Sequence, residues 1–387
     1  MRRLAIGFIP LTDAAVLVAA AKLGFAAAEG LEIDLHREVS WANIRDKVNV
    51  GLLDGAHMLA PLAIASSLGL GHVRVPLVAP FALNLNGSAI TLAHPIYEAM
   101  EATGHDLSSG LGVAQALGDV VRARQAQRLE PLTFSTVYTF STHTYMLRHV
   151  LAAAGLNPDR DVRLVVVPPP FTVESLRSGL IHGFCVGSPW NAVAVEAGVG
   201  RIALLGPEIF GWAPEKVLGV HARFAEAEPD VLRRLVRALH AAAHWSETAA
   251  NHAALAQLLS SPEFLGLPAD VLARMLEGRL NTTQAGQPRE NPDFLVLHRD
   301  GASRPDARHA SWIYAQMVRA GQTTYFPADA RQAEAVYRAD IYDDAMSSPA
   351  MGAPPAARPV GDPVNTRFGE PFTSENIEDY LRRIRSI

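Results

Sequence analysis

Few residues in this sequence are placed to do chemistry, and the first group is Ile181 to Asn191. Phe184-Cys185-Val186 reads as an apolar strand that stops at Gly187. Ser188 offers a helix N-cap, Pro189 suits the first helical position, and the run from Asn191 continues as a helix that Gly198 ends. A strand feeding a helix N-terminus presents unpaired backbone N–H groups and the positive end of the helix dipole, which suits a small anion. The same residues also fit an ordinary connection in an α/β fold. His143, with Thr142, stands at a second helix start, where backbone N–H groups are likewise unpaired. Lys216 precedes an apolar strand, and Trp41 follows one. Taken singly, each has a bland reading: a structural histidine, a solvated charge, a packing indole. Cys185 could act as a nucleophile, but between Phe184 and Val186 it fits a small core residue better.

Other chemistries have little support. The 14 histidines are scattered with no HExxH pattern, and the single cysteine rules out a cysteine cluster. No GxGxxG, P-loop or nucleophile elbow is present, which argues against dinucleotide, nucleoside triphosphate and serine-hydrolase sites. A formal charge of -5 leaves no basic footprint for nucleic acid. One cysteine forms no internal disulfide. After Met1-Arg2-Arg3 the apolar run lasts only about six residues before Pro10, short for an export core, so a cytoplasmic protein is expected.

With 387 residues, 49% of them hydrophobic and 7% aromatic, the chain can build two lobes with helices packed on sheets. Strands are expected at Leu4–Ile9, Ile33–Val39, Asp54–Pro61 and Val73–Phe81, with helices between them, the first capped by Thr12 and Asp13. That order predicts a parallel sheet covered on both faces, whose ligands lie beyond the strands' carboxyl ends. Thr12, Asp13, Ser40, Trp41 and His57 gather at those ends. Ala89–Ala93 is a strand crossing into a second lobe, which repeats the pattern with strands at 132–137 and 162–167 and at Phe184–Val186. Ile202–Leu205 is expected to begin the return. Residues 1–89 and 196–387 thus make the first lobe and 90–195 the second. The proline- and glycine-rich stretch 346–363 reads as an extended strap before a last helix from Ser374 to Arg385.

Several stretches, taken in order, carry a resemblance. They are Gly7-Phe-Ile-Pro-Leu-Thr-Asp-Ala-Ala15, Ser40-Trp41, Asp54-Gly-Ala-His57-Met58, Asn86-Gly87-Ser88-Ala-Ile90, Thr142-His143, Val166-Val-Pro-Pro-Pro170, Phe184 to Asn191, and Pro214-Glu215-Lys216. Together they resemble the nitrate-binding branch of the ABC-transporter solute-binding proteins, the NrtA/CmpA-like group. The resemblance implies an α/β, bilobed periplasmic-binding-protein fold of type II, crossed twice by the chain, whose cleft closes on a small oxyanion. It implies no cofactor and no catalysis.

The resemblance also implies a ligand set: Trp41, His143 and Lys216, joined by Gly87, Ser88 and Thr142 from the matching motifs. The group's usual glutamine is Ser88 here, a shorter donor that bears on pocket size or ligand preference. Nitrate, planar with three acceptor oxygens and no proton, needs only donors and positive charge. The bicarbonate branch tends to carry an acidic residue at the lysine position, so Lys216 favours nitrate or nitrite. A leaderless member resembles the cytoplasmic nitrate/nitrite sensors of the NasS type. Those sensors hold an RNA-binding ANTAR-domain antiterminator (NasT type) and release it on binding ligand. Two alternatives stand beside this expectation: a binding component of an ABC transporter, and an enzyme built on the same fold around Cys185 and His143.

Overall fold

The chain begins as a βαβ unit because its apolar residues are spaced for one. Leu4, Ile6 and Phe8 of β1 (Arg2–Phe8) are buried, and β1 pairs in parallel with β2 (Leu31–Arg37), Leu4 opposite Ile33. The computed structural model describes residues 1–286, 288–347, 372 and 376–385. β3 (Gly55–Leu59) lies on the other side of β1, also parallel, and all of its residues are buried. The helices Ala15–Lys22 and Pro229–Glu247 pack together on one side of this sheet, and Ala60–Leu68 packs on another with Ala307–Arg319.

The larger sheet differs from the all-parallel expectation. Its order is Leu295–Val296, β4 (Leu77–Asn86), β10 (Pro214–His221), β3, β1, β2. β10 is antiparallel to both β3 and β4, so it separates the two strands that sequence order alone would place side by side. Local pattern cannot show this, because a strand arriving from far along the chain has the same alternation as a near neighbour.

The smaller sheet runs β7 (Arg163–Val166), β6 (Thr133–Thr136), β8 (Gly183–Gly187), β5 (Ser88–Ala93), β9 (Gly200–Leu205). β6 is parallel to β7 and β8, whereas β5 is antiparallel to β8 and β9. Ile202–Leu205, expected to begin the return to the first lobe, therefore belongs to the second sheet. The return follows it, through the short helix Gly206–Phe210 into β10.

Two crossings join the lobes, and Asn86 ties them together. Asn86 and Gly87 adopt positive φ (60° and 91°), which turns β4 into β5. The Asn86 side chain donates to Gly211 O (2.8 Å) and Asp293 O (2.9 Å) and accepts from Ala213 N (2.8 Å), so the outgoing crossing is bonded to the returning one. Phe210 and Trp312, edge to face at 5.0 Å, pack behind this junction. Beyond Ser347 the expected strap lies outside the described residues. The last helix, Ile377–Arg385, packs on Ala307–Arg319, where Gln316 Nε2 donates to Tyr380 Oη at 2.9 Å. No helix among the described residues is long and apolar enough to cross a membrane.

Candidate functional site

The carboxyl ends of β1 and β3, the middle of the chain's second crossing and the start of one helix of the smaller lobe converge on a single buried cluster. After β1 the chain enters a 3-10 turn, Thr12–Ala14, rather than a capped α-helix, and neither Thr12 nor Asp13 caps anything. Thr12 Oγ1 lies 3.1 Å from Ser188 Oγ, and Asp13 points to Lys216. Trp41 opens the helix Trp41–Asn49, which Ser40 caps by accepting from Asn43 N. His57 comes from β3, with its ring 5.4 Å from the Trp41 ring.

Lys216 is fully buried in β10, an unusual place for an ammonium, and two carboxylates hold it there. Its Nζ is 2.9 Å from Asp13 Oδ2 and 2.5 Å from Glu215 Oε2, and it sits 5.7 Å from the centre of the Trp41 ring. Regular alternation would send residues 215 and 216 to opposite faces, but the β10–β4 register shifts on both sides of Lys216. This bulge lets the two side chains meet. Asp13 Oδ1 also lies 2.9 Å from His57 Nε2, and burial lowers the His57 pKa against the pull of Asp13, which keeps the imidazole neutral.

The second lobe adds neutral groups. The helix Thr142–Ala153 starts behind Ser141, whose Oγ accepts from Thr144 N. Its first two residues enter the cluster: Thr142 Oγ1 donates to Pro214 O at 2.7 Å, and His143 Nε2 approaches Glu215 Oε2 at 3.6 Å. Ser88 opens β5 with its hydroxyl buried. A side chain at Gly187 would begin 3.6 Å from Asp13 Oδ2 and 3.7 Å from His143 Nε2, so a glycine there keeps space between the lobes.

Trp41 Nε1, Ser88 Oγ and both ring nitrogens of His143 are buried with no hydrogen-bond partner among the described residues. Buried donors are normally paired, and each one left alone is costly. Such donors, in a cleft that also holds a buried ammonium, can pair with the oxygens of a small anion. The electrostatics are graded. Burial alone would raise Asp13, but Lys216 and His57 outweigh it and hold the carboxyl far below its usual range. Burial would lower Lys216, yet Asp13 and Glu215 raise it. Burial drives Glu215 up to about 7 against the pull of Lys216, and it pushes His143 well down, with Lys216 adding to the effect. Burial pushes the Cys185 thiol well up, and Glu215 adds to that, an environment opposed to a thiolate nucleophile. Among the described residues no group of three or more His, Cys, Asp or Glu is placed to hold a metal ion.

The structure thus brings Trp41, Ser88, Thr142, His143 and Lys216 together and gives Gly87 a different part. The Gly87 N–H donates to Phe294 O, and its carbonyl accepts from Ser188 N at 2.8 Å. It shapes the crossing that delivers Ser88. The helix start expected at Ser188 also changes: the helix begins at Trp190 with Pro189 at its N-cap, after a cis Ser188–Pro189 peptide. Ser188 is occupied with Gly87 and Thr12 across the lobes. The residue pattern places Asp13 as a cap at a strand end and gives Glu215 no role. The one signal for Glu215 is an acidic residue directly before Lys216.

Comparison with known proteins agrees with this architecture. Residues 1–260 match the model of the NMT1-like family. The chain belongs to that family. The nitrate/nitrite binding protein NrtA of Nostoc sp. strain PCC 7120 is 29% identical over 98% of this chain and 85% of its own length. The bicarbonate transport ATP-binding protein CmpC of Synechocystis sp. strain PCC 6803 is 34% identical over 83% of this chain, which spans 46% of that longer protein. The crystal structure of the periplasmic nitrate-binding protein NrtA from Synechocystis PCC 6803 superposes with a TM-score of 0.88 at 26% identity, covering 99% of this chain and 98% of that one. This chain has the bilobed α/β fold of periplasmic binding proteins.

Proposed function

We propose that the chain binds nitrate or nitrite between its lobes. One observation carries the reading: Trp41 Nε1, Ser88 Oγ and the His143 ring nitrogens are buried with no hydrogen-bond partner among the described residues, in a cleft that also holds the buried Lys216 ammonium. A flat anion with three acceptor oxygens satisfies several such donors at once, and charge-assisted bonds to Lys216 anchor it. The similarity to NrtA proteins named for nitrate and nitrite supports the choice of ligand. No step in this reading is catalytic, and no cofactor enters it. Calorimetric titration of the protein with nitrate, nitrite and bicarbonate in turn tests it. Tight binding of either nitrogen oxyanion supports the proposal, whereas bicarbonate alone, or no heat with any of the three, refutes it.

The finer reading is a cytoplasmic sensor that holds an ANTAR-domain antiterminator of the NasT type and releases it when the anion binds. The ordered motifs from Gly7 to Lys216 support it by resemblance. Its physical requirement is that ligand and partner favour different arrangements of the lobes. Capture of a purified ANTAR-domain protein, with and without nitrate, tests it, and equal retention in both conditions counts against it. A second reading, the binding component of an ABC importer, is favoured by the transport name of CmpC and by the periplasmic place of the NrtA structure. Loss of nitrate uptake on deletion, with protein found outside the cytoplasm, would select that reading.

A further inference from the structure

Glu215 has no part in the ligand set, although it is as buried as Lys216 and shares its cluster. Its Oε2 is 2.5 Å from Lys216 Nζ and 3.6 Å from His143 Nε2, and its Oε1 is buried with no hydrogen-bond partner among the described residues. The bulge in β10 is what points it here. An ionised carboxylate in this place is a poor neighbour for an anion. Both would be acceptors, with no proton between them.

The groups facing Glu215 come from several elements. Lys216 is on β10, Thr142 and His143 open the helix Thr142–Ala153, and Asp13 is on the 3-10 turn. Cys185 on β8 and Tyr337 after the helix Pro327–Val336 feel its charge. Asp13, held ionised by Lys216 and His57, already matches the charge of Lys216. An ionised Glu215 therefore leaves the cluster net negative, and a univalent anion would double that charge in a region sealed from water. Neutralising Glu215 removes the added charge and turns an orphaned acceptor into an O–H donor.

We propose that Glu215 takes up one proton as the anion binds and donates it in a hydrogen bond to a ligand oxygen, so that the site binds anion and proton together. One O–H bond forms on Glu215, its proton comes from solvent, and nothing is oxidised or released. This deepens the reading of the cleft as an oxyanion site and rests on it. It makes Glu215 a specificity residue. The neutral acid donates to a ligand oxygen that turns a spare lone pair to it, a bond that an ionised Glu215 cannot offer. Near neutral pH the proton is readily taken up, because burial already holds the carboxyl at about 7.

The test is calorimetric titration of the full chain with nitrate between pH 6 and 8.5, in HEPES and in Tris, whose ionisation heats differ. Expected is uptake of close to one proton near pH 8 and roughly thirtyfold weaker binding at pH 8.5 than at pH 6. Glu215→Gln should abolish the buffer dependence and flatten affinity to within about threefold over that range. Infrared difference spectra of the wild-type protein should show a protonated carboxyl stretch appearing with nitrate, a readout independent of how the variant folds. Nitrate binding with no proton uptake and a flat pH profile overturns the proposal and leaves the oxyanion reading standing. So does full uptake in Glu215→Gln, which would put the proton on His143. No nitrate binding at any pH overturns both.

Discussion

The two lobes meet the same cleft with opposite kinds of chemistry. The larger sheet supplies its charges: Asp13, Glu215 and Lys216, next to Trp41 and His57. The smaller lobe supplies only neutral groups, Ser88, Thr142 and His143. The charges satisfy one another at 2.5 and 2.9 Å and so belong to the folded state itself, whereas the Ser88 hydroxyl and the His143 nitrogens have no hydrogen-bond partner among the described residues. Removing the Lys216 cation should therefore damage folding and binding together, and substitutions in the second group should separate the two.

The sharpest break comes at Lys216. In Lys216→Met the Asp13 and Glu215 carboxyls face each other without their cation, and removing one partner of a buried charge group costs about 3–5 kcal/mol. Urea unfolding should show that loss, and nitrate binding should fall below detection. Adding Asp13→Asn should recover much of the stability and none of the binding. Unchanged stability in Lys216→Met would mean that the charged cluster does not support the first lobe.

Next in size is a pH effect from Glu215 in the protein without ligand. An acid raised in the folded state is destabilising once ionised, so its contribution is lost as pH rises from the usual carboxyl value of 4.5 to about 7 and stays lost above that. The difference amounts to about 3 kcal/mol. Asp13 acts in the opposite sense: its carboxyl is held low, so it stabilises above the usual carboxylate range and loses that contribution as pH falls through it. The change in unfolding free energy in urea between pH 5 and pH 8 should therefore differ between the wild-type protein and Glu215→Gln by about 2–3 kcal/mol, because the buried histidines, His143 among them, contribute alike to both. The same change in the two proteins would mean that Glu215 does not titrate there.

The same division explains what could be read from the sequence. Fold class was legible because Leu4, Ile6 and Phe8, then Leu31 and Ile33, recur at every second position as in strands, and because a helical run lies between them. Trp41, His143 and Lys216 were recoverable only as an ordered set, since each alone has an ordinary structural use. Three features were hidden. β10 inserts between β3 and β4 from more than a hundred residues away, which no local period encodes. The bulge at Lys216 breaks the two-residue alternation that would otherwise assign Glu215 to the far face. Ser188 and Pro189 have the types of a helix start, but the contacts of Ser188 with Gly87 and Thr12, which no local signal shows, hold them outside the helix.

In the second lobe the predicted effects fall on binding. His143→Leu replaces an imidazole whose nitrogens have no partner, so stability should stay within about 1 kcal/mol of wild type. Nitrate affinity should drop tenfold or more, since hydrogen bonds to charged groups contribute about 1.5–3 kcal/mol. Ser88→Ala removes a smaller, neutral donor and should weaken binding by roughly three- to tenfold with no loss in thermal midpoint. Calorimetry beside thermal melts reads both quantities. A large melt shift in either variant would mean that these side chains support the fold and are not waiting for a ligand.

The smallest effect belongs to the rim, where the comparison can be refined. Arg45 on the helix Trp41–Asn49 donates through Nη1 to Tyr138 Oη at 2.5 Å, linking the first lobe to the loop after β6. This contact touches neither the charged cluster nor the unpartnered donors, yet it can exist only while the lobes are close. Tyr138→Phe deletes the hydroxyl and keeps the ring against Phe140. The closed form should lose about 0.5–1 kcal/mol, which appears as nitrate dissociation two- to fivefold faster in stopped flow with an unchanged association rate. Acceleration of association instead would show that the contact hinders entry, and then closure is governed by the cleft residues alone.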